Sequence, residues 1–257
     1  HEIDYTIERN ERHKMMRIDF AGNRFFNNAT LKERLTTREA GFLRYRYGRD
    51  SQRIREDDVQ AIRDLYRANG FRDVAVAASI LDDFGGKKDA MAVRFQITEG
   101  DPWLVDGLDI EGIPEEDVAP LTKMLQSTPG QAFSETAVGA DRDSILSYYS
   151  DAGYPSVTFD WTQTPGDAEH RVKLRYVVHP GRREFVRDIL IRGLEDTRPS
   201  LVFAQMRIHA GDPVSQNQIA ETQQRLYDLG IFAKVQAALQ NPDGEEERKY
   251  VLFQVEE

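Results

Sequence analysis

Three windows of nineteen residues share one pattern of apolar and polar positions and align without a gap. They read DYTIERNERHKMMRIDFAG at 4–22, RFQITEGDPWLVDGLDIEG at 94–112 and RYVVHPGRREFVRDILIRG at 175–193. In each, apolar residues recur at every second position on both sides of a central asparagine or glycine. This alternation is typical of β-strands, and the central residue types tolerate the positive φ of a tight reversal. Each window therefore predicts a strand, a turn and a second strand that ends on a glycine, namely Gly22, Gly112 or Gly193.

A helix that ends in glycine is also repeated three times. The segments are LYRANGF at 65–71, YYSDAGY at 148–154 and RLYDLGIF at 225–232, and the apolar residues in and before them fall on one helical face. A glycine just past a helix commonly takes the left-handed conformation, where a Cβ would cost about 1–2 kcal/mol. The pattern therefore predicts positive φ and a helix-capping role at Gly70, Gly153 and Gly230.

The remaining segments complete a unit of about 80 residues. One more helix is predicted between each window and each glycine-terminated helix, at 29–35, 114–125 and 199–207. A strand follows each helix-ending glycine, at 73–80, 156–163 and 233–239. Turn-forming clusters of Pro, Gly, Asn and Asp then lead into the alternating strand that opens the next window. Each unit thus has the order strand–helix–helix–strand–strand.

This order predicts an α+β fold of three tandem β-α-α-β-β modules, at 14–99, 100–180 and 181–257. Residues 1–13 are expected to be the last strand of a truncated upstream module. Within a module, the first and third strands can pair in parallel across the helices, while the second and third form an antiparallel hairpin. We therefore expect three-stranded mixed sheets with two helices on one face, the third strand in the centre and the second strand at an edge.

The repeat resembles the polypeptide-transport-associated (POTRA) family over essentially the whole chain. The resemblance rests on the element order, on the glycine after the first strand and on a Y-x-x-x-G-[FY] helix end at 66–71 and 149–154. The third unit departs from this motif, with Leu226 in the tyrosine position and Ile231 after the glycine. The resemblance implies that the chain is the periplasmic arm of a BamA- or TamA-like outer-membrane protein, and we expect the barrel of that protein to follow residue 257. It also implies binding of unfolded outer-membrane proteins and of accessory periplasmic subunits or lipoproteins.

Composition excludes several classes of function. The chain of 257 residues has no cysteine, which rules out disulfides and thiolate sites. Its formal net charge of -10 argues against non-specific nucleic-acid binding, and no apolar run approaches the roughly 18 residues of a membrane-spanning helix. Residues 100–180 hold 5 basic and 14 acidic residues. This acidity either steers a basic partner or only keeps the protein in solution.

No constellation of catalytic residues is visible. The five histidines form no H-x-x-x-H pair, and phosphate-binding, dinucleotide-binding and G-x-S-x-G motifs are missing. Asp83-Phe84-Gly85 copies a kinase tripeptide, but we interpret it as a hairpin turn. The acidic run Glu115-Glu116-Asp117 is interpreted as a solvated helix start. We therefore expect no enzyme activity, no cofactor and no metal site.

The candidate functional site is the second strand of each module. An open sheet edge captures an extended chain by β-augmentation, in which main-chain pairing is indifferent to the sequence of the client. The final module is the favoured client site. The candidate residues are Val74, Val76, Val157, Phe159, Lys234, Val235, Gln236, Ala237, Ala238 and Leu239. Two alternatives remain open, a structural spacer without client contact and the arm of a secretion translocator for one dedicated passenger.

Overall fold

The computed structural model describes residues 14–39, 52–88, 90–240 and 246–257. The strand predicted at 1–13 lies outside the described residues. The chain forms two compact units. The first comprises His1–Leu104, Gly130–Thr136 and Ala168–Arg171, and the second comprises Val105–Pro129, Ala137–Asp167 and Val172–Glu257.

The described elements follow the predicted order three times. The first module contains β1 (Lys14–Ala21), α1 (Asn28–Arg34), α2 (Gln52–Ala68), β2 (Ala75–Asp82) and β3 (Ala90–Thr98), with a short 3-10 turn at Phe84–Gly86. The second contains β4 (Leu104–Glu111), α3 (Glu115–Thr122), α4 (Glu135–Asp151), β5 (Thr158–Pro165) and β6 (Arg171–His179). The third contains β7 (Phe185–Arg192), α5 (Pro199–Phe203), α6 (Gln216–Asp228), β8 (Lys234–Gln240) and β9 (Arg248–Glu256).

Each module has its own three-stranded sheet with the third strand in the centre. The strand orders are β1-β3-β2, β4-β6-β5 and β7-β9-β8. In the first sheet Phe20 pairs with Phe95 in parallel, and Val76 pairs with Ile97 in the antiparallel hairpin. The third sheet repeats both arrangements. The predicted α+β fold of mixed sheets is therefore confirmed, with β2, β5 and β8 at sheet edges.

The core lies on one face of each sheet, beneath the helices. On β3 the side chains of Val93, Phe95 and Ile97 are buried, whereas Arg94 and Gln96 between them are exposed. The buried strand residues pack with residues from both helices, namely Leu31, Ile62 and Tyr66. Burying each large apolar side chain contributes about 1.5–3 kcal/mol. The third module has an equivalent core, including Ile219, Leu226, Phe253 and Val255.

Some element boundaries differ from the predictions. Helix α5 ends at Phe203 and not near residue 207, because the chain turns there and buries Met206 and Ile208. The edge strands also start later than predicted. Val74 and Val157 precede β2 and β5, because their N–H groups bond to the carbonyls of Phe71 and Tyr154 in a turn.

Candidate functional site: the edge strands and the joints

The edge strand β8 has the alternation expected of a half-buried strand. Val235 is buried, Ala237 and Leu239 are half-buried, and the residues between them are exposed. Among the strands that the structure describes, β8 pairs only with the central strand β9. The exposed residues of β8 are Lys234, Gln236, Ala238 and Gln240.

A groove of about 530 Å³ runs between this edge and helix α6. We call it the α6–β8 groove. Its helix wall and its strand wall are lined by Ala220, Gln223, Gln224, Tyr227, Ala233, Lys234 and Val235. A groove beside a sheet edge offers an extended peptide two kinds of contact, main-chain pairing on one side and side-chain packing on the other.

Helix side chains reach the edge strands in two modules, a feature that sequence reasoning missed. Gln223 Nε2 donates to the carbonyl oxygen of Val235 at 2.8 Å, and Arg63 Nη2 donates to that of Val76 at 2.9 Å. Both donors lie seven residues before the helix-ending glycine. At the same position the second module has Leu146, which has no polar side-chain atom. One carbonyl of β2 and one of β8 are thus already bonded to the helix.

The structure separates the predicted edge residues into three groups. Val76 and Val235 are buried, and Phe159 is half-buried, with its ring centroid 4.9 Å from that of Tyr176. A partner strand at the edge would therefore contact the main chain of these residues and not their side chains. Val74 and Val157 lie before the strands, which corrects their assignment. The remaining candidates all lie on β8, at Lys234, Gln236, Ala237, Ala238 and Leu239.

A buried aspartate on the second helix of two modules was also missed. Asp141 is fully buried and accepts hydrogen bonds from the N–H groups of Gln126 (2.5 Å) and Ser127 (3.0 Å) and from the Tyr176 hydroxyl (2.9 Å). Asp58 binds the N–H groups of Thr36 and Thr37 in the same way. The signal was present in the sequence, because both aspartates precede the helix-ending glycine by twelve residues. Each satisfies main-chain donors in the loop between the two helices.

Buried tyrosines are paired with carboxylates. Burial raises the pKa of Tyr66, and so does the hydrogen bond to Glu99. Burial likewise raises the pKa of Tyr149, which donates to Asp117 at 2.8 Å. Tyr148 donates to the other oxygen of Asp117 at 2.9 Å. The acid run at the start of α3 therefore contains a tyrosine acceptor and is not merely a solvated helix start.

Five of the six glycines singled out in the sequence meet close neighbours at the ends of the strands and helices, and Gly230 is the exception. At Gly112, a Cβ would overlap the carbonyl oxygen of Val178, so only glycine permits this approach between the first and central strands. A Cβ at Gly22 or at Gly193 would likewise overlap a carbonyl oxygen of the central strand of its own sheet. Positive φ is found at Gly22, Gly70, Gly112, Gly153, Gly193 and Gly230.

Two short segments connect the last strand of one module to the first strand of the next, and we call them joints. They are residues 100–104 and 181–185, and they make the same pattern of main-chain hydrogen bonds. The Trp103 N–H donates to the carbonyl of Gly70 at 2.8 Å, and the Trp103 carbonyl accepts from Phe133 at 2.8 Å. In the second joint the Glu184 N–H donates to the carbonyl of Gly153 at 2.6 Å, and the Glu184 carbonyl accepts from the N–H of Val214 at 3.0 Å. The carbonyls of Gly70 and Gly153 therefore bind the joint, in addition to the role of these glycines as helix caps. The sequence analysis did not predict this second role.

The side chains that support the two joints differ. Trp103 Nε1 donates to Asp73 at 2.9 Å, and the Arg72 guanidinium lies over the indole at 5.4 Å from its centroid. In the second joint Glu184 forms a buried ion pair with Lys249. Arg183 donates to the carbonyl of Ala152 at 2.9 Å and stacks on Tyr154. The main-chain pattern is thus common to both joints, while the side chains are particular to each.

Neither a metal cluster nor a membrane-spanning helix occurs in the part of the chain that the structure describes. No three His, Asp or Glu side chains of that part are arranged to hold an ion. No helix among the same residues is both long and apolar enough to cross a bilayer.

A family model of POTRA, described as the surface antigen variable number repeat, matches residues 14–100, 105–181 and 185–257. The chain belongs to the POTRA family. Its three POTRA modules account for the repeated sheets, helices and glycine-terminated segments. The carbonyl of Gly70 or Gly153 and the linker that binds it therefore form one contact between consecutive POTRA modules.

Two curated relatives share about a quarter of the chain's residues. One is the outer membrane protein assembly factor BamA of Neisseria meningitidis serogroup B, 24% identical over 91% of this chain. The other is the BamA of Neorickettsia risticii, 23% identical over 95% of it. The chain spans 30% and 33% of the length of these two proteins.

A solved structure has the same fold. The crystal structure of POTRA domains 3–5 of Haemophilus influenzae BamA covers 95% of this chain, and the chain covers 96% of that structure, at a TM-score of 0.55 and 22% identity. This likeness supports the fold of three POTRA modules.

Proposed function

We propose that this chain is a periplasmic arm of a bacterial outer-membrane barrel protein and assists the assembly of other outer-membrane proteins. The proposal rests on three tandem POTRA modules and on relatives named as outer membrane protein assembly factors. In this proposal the arm is attached to the membrane through a barrel that lies beyond the residues given. The arm would receive unfolded outer-membrane proteins and hold accessory periplasmic subunits or lipoproteins.

The observation that carries client binding is the open edge of β8 beside the α6–β8 groove. An extended client would pair with the β8 main chain, and alternate side chains of the client would enter the groove. Barrel strands alternate between apolar and polar residues, so an unfolded barrel protein supplies many such segments. Because main-chain pairing is indifferent to sequence, one edge would serve many clients.

The expected affinity is weak, which suits transfer of a client. Each main-chain hydrogen bond contributes about 0.5–1.5 kcal/mol net, and ordering the peptide opposes binding. The carbonyl of Val235 already accepts from Gln223, so part of the edge must exchange a helix contact for a client contact. A client held in this way would leave easily towards the membrane.

The experiment is a titration of the isotope-labelled chain with a peptide from a bacterial outer-membrane barrel strand, followed by backbone amide shifts. Shifts are expected along residues 233–239. The matched control is the same peptide N-methylated at alternate residues, which keeps every side chain but loses main-chain donors. Val235→Pro should remove or distort the edge, and its melting temperature will report whether the third module remains folded.

Two results would overturn client binding by β-augmentation. One is the absence of shifts at millimolar peptide. The other is equal binding of the N-methylated peptide, with shifts confined to helix residues. Either result favours the structural spacer, in which the modules only set the distance between barrel and accessory subunits.

A further inference from the structure

We propose that the end of helix α6 is a docking site for an extended aromatic-containing linker, forming a third joint like the two inside this chain. The site consists of Tyr227, Gly230 and Ile231, and we call it the Gly230 surface. Its occupant is a linker of the type Gly-x-x-aromatic that leads into the first strand of another domain. This interaction differs from main-chain pairing of a client at the β8 edge, although Tyr227 also lines the α6–β8 groove.

The first argument is that the equivalent surface is covered in both other modules. Gly70 and Gly153 are buried, and each carbonyl accepts the N–H of a linker residue. A Cβ at Gly70 would lie 2.9 Å from the Trp103 carbonyl oxygen, and one at Gly153 would lie 2.7 Å from that of Glu184. The lack of a Cβ therefore makes room for a linker backbone.

The third module also ends its second helix on a glycine with positive φ, but the surface there is open. Gly230 has φ +70° and its N–H bonds to the carbonyl of Tyr227 at 3.0 Å, as Gly70 bonds to Arg67 at 3.1 Å. Yet Gly230 is exposed, and no neighbouring atom in the described parts of the chain lies within 4 Å of the position of a Cβ there. Gly230 thus has a positive φ and enough open space beside it for a linker backbone.

The side chains around Gly230 match an aromatic occupant. Ile231 is 42% exposed. Tyr227, one turn earlier, is 56% exposed. Large apolar side chains exposed together mark interaction sites. An apolar ring carried by the occupant would pack against this surface.

The two joints also define the backbone of the occupant. Trp103 and Glu184 each lie three residues after a glycine with positive φ, Gly100 or Gly181, and each directly precedes a first strand. The N–H of the fourth residue binds the preceding module, while its carbonyl binds the module that follows. The required ligand is therefore an extended segment with a free N–H at the residue that carries the aromatic ring.

The probe is a peptide with the chain's own first linker, residues 98–106 (TEGDPWLVD). It is titrated into the full 257-residue chain, and amide shifts are expected at residues 229–232. A peptide N-methylated only at the tryptophan keeps the ring and loses the donor, so it should bind about tenfold more weakly. Ile231→Glu in the chain should weaken the unmodified peptide at least as much, with an unchanged melting temperature.

Gly230→Ala separates the surface from the β8 edge. A Cβ there would occupy the place of the linker backbone, so linker binding should be lost while barrel-strand binding at residues 233–239 is retained. Failure of client binding with retained linker binding would thus leave this proposal intact.

Three outcomes would overturn the proposal. They are no shift at residues 229–232 at millimolar peptide, equal binding of the N-methylated peptide, and concentration-dependent dimerisation that protects these amides without peptide. The last outcome would assign the Gly230 surface to a second copy of the chain, and sedimentation measures it directly.

Discussion

Lys249 Nζ lies 3.4 Å from Glu184 Oε1, with the two side chains 1% and 11% exposed. Glu184 is the linker residue that binds Gly153, so this ion pair holds the second joint from inside the third module. The Phe185 N–H bonds to Glu247 and the Leu104 N–H bonds to His170, so the equivalent of Lys249 in the second module is Val172, and the equivalent of Glu184 in the first joint is Trp103. The second joint thus has a buried ion pair at positions where the first joint has a tryptophan and a valine.

Replacing Lys249 alone should destabilise the third module. Lys249→Val leaves the buried carboxylate of Glu184 without its cation, and breaking a buried pair in this way typically costs about 3–5 kcal/mol. The double variant Glu184→Trp with Lys249→Val copies the residue types of the first joint and should recover most of this loss. Urea unfolding followed by circular dichroism measures both. A single variant as stable as wild type would show that the pair does not stabilise the joint.

The helix-ending glycines should differ in their tolerance of alanine. Gly153→Ala combines positive φ with a Cβ only 2.7 Å from the Glu184 carbonyl oxygen, so its cost should exceed the 1 kcal/mol or so of φ alone. Gly230→Ala should cost only that smaller amount. Gly211→Ala is the matched control, because it has φ +91° and open space. Equal melting temperatures of all three variants would refute the joint contact at Gly153.

Removing the carboxylate of Asp141 should destabilise the second module. Asp141→Ala leaves two buried N–H groups and the Tyr176 hydroxyl without their acceptor, at about 1–3 kcal/mol for each unsatisfied group. In the third module Thr222 Oγ1 accepts only the Arg207 N–H from the loop between the helices, so Thr222→Val removes a single acceptor and should cost less. Denaturant unfolding ranks the two. The reverse order would contradict the role assigned to Asp141.

The stability of the first module should depend on pH through Glu99. Burial opposes ionisation of Glu99, but the N–H groups of Phe25 and Arg24 and the Tyr66 hydroxyl outweigh it and lower its pKa below 4.5. Its stabilisation is therefore complete above pH 4.5 and is lost as the pH falls through the lowered value. Glu99→Gln should destabilise at neutral pH but barely in strong acid. An equal effect at both pH values would contradict the assignment.

The repeat itself could be predicted because it depends on local rules. Alternation of apolar residues marks the strands, and helical spacing before Gly70 and Gly153 marks the helices, whatever the rest of the chain does. The central position of the third strand followed from the connection lengths, since parallel strands require a long crossover and antiparallel strands do not. The predicted end of α5 was wrong because the burial of Met206 and Ile208, and not helical spacing, determines where the helix ends.

The sequence by itself determined the modules, their topology and the edge position of β2, β5 and β8. Only the tertiary structure decided what their residues touch. Three contacts join different elements of the chain: the Gly153 carbonyl accepts the Glu184 N–H, Gln223 donates to the Val235 carbonyl, and Asp141 accepts from the loop between the helices. Periodicity shows which side of an element faces inward, but not which group from another segment lies opposite. The partner of a backbone carbonyl is set by packing, and one-dimensional spacing does not encode it.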